Sequence, residues 1–241
     1  MTHTHNHLGQ PISFAVPDWT PPPRPPRETM AGRFCRVEPL DVDRHTADLF
    51  AANSASSDGR IWTYLGYGPF NNFEDYAAWA QQMSRSEDPL FFAIIDLASG
   101  KAAGLASYLR IDPANGSIEV GNIVYAPALQ RTPAATEAMI LLMRQAFSLG
   151  YRRYEWKCDA LNAPSRTAAQ RLGFSFEGIF RQAVIYKGRN RDTAWYAVID
   201  QEWPALSAAF EQWLDPANFD AQGRQRLRLS NLTAPILKGH T

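Results

Sequence analysis

The sequence predicts an α+β domain around one mixed, mainly antiparallel sheet, and three observations carry that prediction. Residues 90–125 alternate and break like a three-strand meander. A long helix with one apolar face then leads to a strand at 151–159, which must run parallel to an earlier strand because a helix crosses over between them. Two further strand-like runs, 180–187 and 193–200, close the pattern as a hairpin. A doubly wound fold would alternate strand and helix throughout, so it is set aside. The 241 residues allow one large domain or two small ones. A chain of that length buries roughly 70% of its unfolded surface, enough for a self-sufficient core.

The elements follow in order. Residues 1–30 form a proline-rich arm in which Pro17, Pro21, Pro22, Pro23, Pro25 and Pro26 fix φ without donating hydrogen bonds. PPPRPP reads either as a docking motif or as an arm laid across the domain or left loose. His3, His5 and His7 could gather a metal, but a disordered end is the better reading. From Arg33 to Val37 the pattern alternates as a strand does, and Asp41 caps a helix that carries Leu49 and Phe50 on one face. Asn72, with Asp75 three positions on, makes an approximate capping box. The helix behind it places Phe73, Tyr76, Ala77, Ala80 and Met83 on a stripe read as core.

The meander has strands at 90–97, 102–111 and 117–125, with turns at Ser99-Gly100 and at Asp112-Pro113-Ala114-Asn115-Gly116. Pro133 suits the first turn of the long helix, Met139, Leu142, Met143, Ala146 and Phe147 give its apolar face, and Gly150 ends it. A short helix at 163–172 stops at Gly173, the closing hairpin turns around Gly188-Arg189-Asn190-Arg191, and a last helix spans 203–213. The division is therefore an arm at 1–30, a central domain at 31–203, and a C-terminal helix with a polar tail at 204–241. No internal repeat is found.

Composition excludes several function classes. Lys+Arg and Asp+Glu are both 24, so the formal net charge is zero and a dedicated nucleic-acid or anionic-membrane binder is not expected. Two cysteines, Cys35 and Cys158, cannot build a four-thiolate zinc site or a disulfide framework. Of five histidines only His45 is placed to enter a fold, His240 being next to the C-terminus, so a Ser-His-Asp triad or a two-histidine metal site is hard to assemble and no metal is expected. Acid–base chemistry then falls to carboxylates, tyrosines, serines or the Cys158 thiol. No apolar run reaches about 20 residues and the start lacks a signal-type apolar stretch, so a cytoplasmic protein is expected.

The familiar phosphate loops are missing: there is no GxxxxGK[ST], and Gly66-Tyr67-Gly68 does not continue as GxGxxG. One phosphate-friendly feature remains, the turn Gln130-Arg131-Thr132-Pro133-Ala134-Ala135-Thr136 between the third meander strand and the long helix. Amides at a helix N-terminus attract anions, small residues admit a close approach, and Arg131, Thr132 and Thr136 add charge and hydroxyls.

That strand, turn and helix are followed by Asn162-Ala163-Pro164-Ser165 and then Leu172-Gly173-Phe174-Ser175-Phe176-Glu177-Gly178, with Asp192 and Glu202-Trp203 further on. From about Arg33 to Trp203 the chain resembles the GNAT superfamily of N-acetyltransferases, in its RimJ/RimL-like branch. The resemblance implies a GNAT-like sheet with helices on both faces and a splayed cofactor cleft, acetyl-CoA as acyl donor and an amine as acceptor. The family's Q/R-x-x-G-x-G/A loop falls on Gln130–Ala135, with Pro133 in place of the first glycine. By the same resemblance the strands around Ile123–Tyr125 and Glu155–Cys158 splay to admit the cofactor, with Ile123, Val124 and Tyr125 lining it, Asn162 holds the pantetheine arm and Ser165 stands near the sulfur.

Plainer readings stand beside these. Asn162 and Ser165 also suit helix capping, and Cys158 is equally a small buried hydrophobe. Glu119, mid-strand, is a base candidate if a cleft surrounds it and an ordinary polar residue otherwise. Trp62, Tyr64, Tyr67 and Phe70 form an aromatic run that is either a small core under a loop or a wall for the acceptor, and Tyr186 is a further candidate at the acceptor side. The leading expectation is direct acetyl transfer to a primary amine on a protein N-terminus or small molecule, by a monomer or homodimer, with Glu119 as base and Ser165 on the sulfur side. A non-catalytic acyl-CoA-binding sensor of the same fold is the alternative.

Overall fold

The computed structural model describes residues 4–56 and 58–238; His3 and His240 lie outside these. A small antiparallel ladder joins β1 (Thr4–His5) to β2 (Pro11–Ile12). The main sheet contains β3 (Met30–Ala31), β4 (Cys35–Pro39), β5 (Leu90–Asp96), β6 (Lys101–Asp112), β7 (Ser117–Tyr125), β8 (Arg153–Asp159), β9 (Ser175–Tyr186) and β10 (Arg189–Ile199). Its spatial order is β3-β4-β5-β6-β7-β8-β10-β9, antiparallel except between β7 and β8. The expected mixed sheet is thus present, with its parallel pair where the crossover requires it.

Helices cover both faces. Phe92 and Ile94 of β5 enter a core with α3 (Pro133–Ser148) and α5 (Trp203–Leu214), while the alternate residues Phe91, Ala93 and Ile95 enter a second core with α1 (Val42–Ser54) and α2 (Phe73–Ser84). Fully buried strands of this kind read as near-continuous apolar runs, as LFFAII does. Local caps set the helix starts: Asp41 accepts from the Arg44 amide, Asn72 from Asp75 at 2.8 Å and Thr132 from Ala135 at 3.2 Å. At the front of α3 the buried Glu137 carboxylate accepts the amides of Arg33, Phe34 and Cys35, which ties the helix to β4.

Of the readings open for the arm, the structure has it laid across the domain: Pro22 and Pro25, one polyproline turn apart, are buried, the Trp19 indole donates to the Ala114 carbonyl at 2.9 Å, and Arg24 and Arg27 donate to carbonyls of Glu87, Ser84 and Ser86. Two expectations need correction. The closing hairpin begins at Ser175 and turns at Lys187-Gly188, both at positive φ (48° and 70°), not around residues 188–191. Two left-handed residues match the twist of the flanking strands better than a longer loop. Finally, Phe73 is 41% exposed, and the packing role on α2 passes to Trp79, which stacks on Tyr67 at 4.7 Å.

The tail is more than polar chain. α6 (Leu229–Thr233) buries Leu229 and docks on the end of α4 (Ala163–Arg171), where the Thr233 hydroxyl donates to the Arg171 carbonyl at 3.0 Å. Among the described residues no helix is long and apolar enough to cross a membrane.

Candidate active site

The site begins where the parallel pair comes apart. β7 and β8 are laddered from Ser117/Arg153 to Val120/Trp156 and no further. Beyond that point β7 stays with β6 through Val124 and Tyr125, and β8 stays with β10 through Lys157, Cys158 and Asp159. Asn122 takes a positive φ of 51° at the parting and its amide donates to the Ser107 hydroxyl at 2.9 Å. Ile123, Val124 and Tyr125 are the β7 residues beyond the parting; the Val124 side chain is buried in the α1–α2 core, and the Tyr125 hydroxyl donates to the Ala135 carbonyl at 3.1 Å. On β8 the matching stretch begins at Lys157, since Glu155 and Trp156 are still paired.

At the base of the opening lies the turn into α3. Gln130 donates to the Tyr125 carbonyl, Arg131 sits at φ 62° and Thr132 caps the helix. Pro133 has no N–H and Ala135 donates to Thr132, so the Ala134 amide remains to meet an anion. Ala134 and Ala135 are nearly buried, and no side chain larger than a methyl group stands there. The Thr136 hydroxyl accepts from Arg171 at 3.0 Å.

Across the sheet lies a buried charge cluster. Glu119, 2% exposed, accepts from Arg110 at 2.8 Å and pairs with Lys157 at 3.0 Å; Lys157 also pairs with Glu155 at 2.6 Å. The Lys157 ammonium lies 3.8 Å from the Trp195 ring centre, and Arg153 extends the chain to Glu177. Burial pushes the Glu119 carboxyl up, and the Arg110 and Lys157 charges do not offset it. Burial also acts on Glu155, but Lys157 and Arg153 outweigh it and hold that carboxyl below its ordinary range. Two carboxylates sharing one lysine are thereby driven apart, the separation an acid–base centre needs.

The remaining predicted residues surround the open end. Asn162 caps α4 through the Ser165 amide at 3.2 Å. The Ser165 hydroxyl accepts from the Trp156 indole at 3.0 Å, and it lies beside Cys158, whose thiol burial pushes up. Tyr186 donates to Asp159 at 2.9 Å, and burial, with the Asp159 charge, lifts its hydroxyl to about 12. Tyr64 donates to the Leu161 carbonyl at 3.3 Å and Tyr67 to that of Asn122 at 3.5 Å, while the Trp62 carbonyl accepts from Lys187 at 2.8 Å. Trp62, Tyr67 and Phe70 pack into the α1–α2 core, so their rings serve as core; Tyr64 bridges to the loop after β8.

Splayed parallel strands, a small-residue turn at the following helix and a buried carboxylate pair sharing one lysine make up the candidate site. The acetyltransferase (GNAT) domain family matches residues 36–175, more than half of the chain. The chain belongs to the GNAT acetyltransferase family. As a GNAT protein it is an N-acetyltransferase-type acyltransferase. A GCN5-related N-acetyltransferase from Brucella melitensis is 50% identical, with a TM-score of 0.89 over 91% of this chain and 100% of its own. N-acetyltransferase p20 of Bacillus licheniformis is 26% identical over 151 residues, 61% of this chain and 84% of its own. RimL, a ribosomal L7/L12 alpha-N-protein acetyltransferase, shares the fold at 21% identity and TM-score 0.62, over 71% of this chain and 94% of its own.

Within this GNAT frame, sequence reasoning gave no role to Arg110, Lys157 or Trp195, and named Glu155 only as part of the splaying strand. A signal existed for part of the set: Arg153, Glu155, Lys157 and Asp159 alternate with apolar residues, which puts all four on one face of a strand.

Proposed function

We propose that this GNAT protein transfers an acetyl group from acetyl-CoA directly to a primary amine, on a protein N-terminus or a small molecule. The observation that carries the reading is the parting of β7 from β8 after Val120/Trp156, with the Ala134 amide at one end and the Glu119–Lys157–Glu155 cluster beside the other. In this reading Gln130, Arg131, Thr132, Ala134, Ala135 and Thr136 form the pyrophosphate turn. The pantetheine arm lies between Ile123–Tyr125 and the end of β8, held by Asn162, whose amide oxygen already caps α4 while its NH2 stays available.

An amine acceptor is mostly protonated near neutral pH, since lysine-like amines have a pKa of about 10.4 and α-amines about 7.7–8.0. Glu119 takes that proton through a water. The amine nitrogen then bonds to the thioester carbonyl carbon, the C–S bond breaks, the nitrogen sheds its second proton, and the Ser165 hydroxyl relays it to the thiolate while the proton on Glu119 returns to solvent. The Trp156 indole, donating to the Ser165 oxygen, leaves that hydroxyl's own proton free to point at sulfur. Holding both substrates in one cleft replaces a bimolecular encounter and needs no covalent enzyme intermediate. The acceptor is assigned to the side of Tyr64 and Tyr186, with Trp62 and Tyr67 as the core behind them. RimL's name places it on a protein N-terminus, and the RimJ/RimL-like motifs here carry that acceptor class as one arm of the test.

The test is release of free coenzyme A thiol from acetyl-CoA by the full chain, against peptide N-termini, amino acids, polyamines and amine-bearing antibiotics. Acceptor-dependent release supports the reading. Release with none of these classes above the buffer rate overturns it.

A further inference from the structure

One face of β10 carries polar atoms that the fold leaves unanswered. In the antiparallel ladder Trp195 pairs with Lys157 and Thr193 with Asp159, so their side chains stand on the face that holds the Glu119–Lys157 pair. Arg191 follows two residues further along, beyond the last paired residue of β8. The alternate residues Ala194, Tyr196 and Val198 point the other way, into the core with α3 and α5. The Arg191 Nε–H, the Thr193 hydroxyl and the Trp195 indole N–H are all buried, and among the described residues none of the three has a hydrogen-bond partner. Thr193 is only 5% exposed.

A buried polar atom without a partner is costly, and a charged one more so. Arg191 forms no ion pair among the described residues. Asp159, the carboxylate on the same stretch of the face, is already engaged by the Tyr186 hydroxyl at 2.9 Å and the Leu161 amide at 2.8 Å. The Arg191 guanidinium lies 5.9 Å from the Tyr186 ring centre, on the side assigned to the acceptor. A row of donors with a positive charge at its outer end matches a ligand that offers lone pairs and ends in an anion.

The spacing sets the ligand's length. Arg191 is four residues along β10 from Trp195, about 13 Å at the ordinary rise of a strand. Trp195 stands level with Lys157, where β8 leaves β7 and the amine must meet the thioester. A free α-amino acid carries its carboxylate on the same carbon as its amine and is too short to bridge that length. A polyamine is long enough but brings a second cation to Arg191.

Resting on the acetyl-transfer reading above, we propose that Arg191, Thr193 and Trp195 form a specificity subsite for the acceptor, and that the acceptor is an amine carrying a carboxylate set far from its nitrogen. Such a carboxylate is an acidic side chain a few residues into a peptide N-terminus, or the far end of a long ω-amino acid. It meets the Arg191 guanidinium, whose planar fork of donors fits it, while Thr193 and Trp195 donate to oxygens nearer the amine.

The test is release of coenzyme A thiol from acetyl-CoA by the full chain with two matched acceptor pairs. One is a peptide with a free N-terminus and glutamate at its fourth position, against the same peptide with glutamine. The other is a long ω-amino carboxylate against its primary amide. In at least one pair the wild type should show kcat/KM about tenfold or more in favour of the acid, the scale of one charge-assisted hydrogen bond. The pair that shows it identifies which source of carboxylate the site takes. Arg191→Gln should bring that ratio close to one, Arg191→Lys should restore part of it, and Thr193→Val should shrink it. Each ratio is internal to one enzyme preparation, so a loss of folded protein does not move it. Acetyl transfer with a ratio near one in both pairs overturns the subsite and leaves the transfer reading standing. A ratio that survives Arg191→Gln, or a preference for the neutral members, overturns it as well. If no amine of any class prompts release, the transfer reading fails and the subsite falls with it.

Discussion

Lys157→Met is the most discriminating perturbation of the proposed proton path, because it changes the base without touching it. Lys157 lies 3.0 Å from Glu119. At an effective dielectric of about 20, two unit charges at that distance interact by roughly 332/(20 × 3.0), or about 5.5 kcal/mol, which is roughly four pH units. The realised effect is smaller for three reasons. Lys157 is shared with Glu155 at 2.6 Å, Arg110 still holds Glu119 at 2.8 Å, and water can enter the space the ammonium leaves. One to three units is the usual size of an opposite-charge effect on a carboxyl. The sign is fixed: a cation favours the ionised carboxylate, so its removal lifts the Glu119 pKa further above a value that burial has already raised. A base works only when ionised. The acidic limb of the kcat/KM profile should therefore move to higher pH by about one to three units, with much of the high-pH plateau kept. Glu119→Gln should lower kcat by about 10²-fold or more and remove that limb, with a smaller loss at high pH where free amine is abundant. A limb that stays in place or moves to lower pH in Lys157→Met would refute the assignment.

Three more outcomes follow from the same structure. Ser165→Ala should lower kcat while acetyl-CoA affinity by calorimetry changes little, since that hydroxyl acts at the departing sulfur; an equal loss in both would make it a binding group. Glu137→Ala strands the amides of Arg33, Phe34 and Cys35, and at about 1 kcal/mol or more for each should cost roughly 3 kcal/mol and about 6–12 °C in Tm by calorimetric scanning. A Tm within about 2 °C of wild type would mean that water replaces the carboxylate. Starting the chain at Glu28 removes the Trp19, Arg24 and Arg27 anchors, so Tm should fall, yet acetyl-CoA affinity should stay within about tenfold because those anchors end on the 112–116 turn and at Ser84, Ser86 and Glu87; a larger loss would show that the arm shapes the cleft.

What was legible in the sequence was local. Asp41 and Asn72 cap within three residues of themselves, and turns such as Asp112–Gly116 depend on the residues that form them, so these elements could be placed without knowledge of their neighbours. Glu119 could be nominated but its environment could not. Its partners Lys157 and Glu155 are brought opposite it only by the parallel register Glu119/Glu155, which the α3 crossover sets and no local pattern encodes. The aromatic run shows the same limit. From spacing alone Trp62, Tyr67 and Phe70 could be core or wall, and the choice is made by Trp79, Tyr76 and Phe91, which arrive from α2 and β5. Pro133 joins the two levels. Locally it is a favourable first helical residue, which is why α3 could be placed from it. At the turn it removes one amide that could have met a phosphate, so fewer backbone donors remain for an anion there.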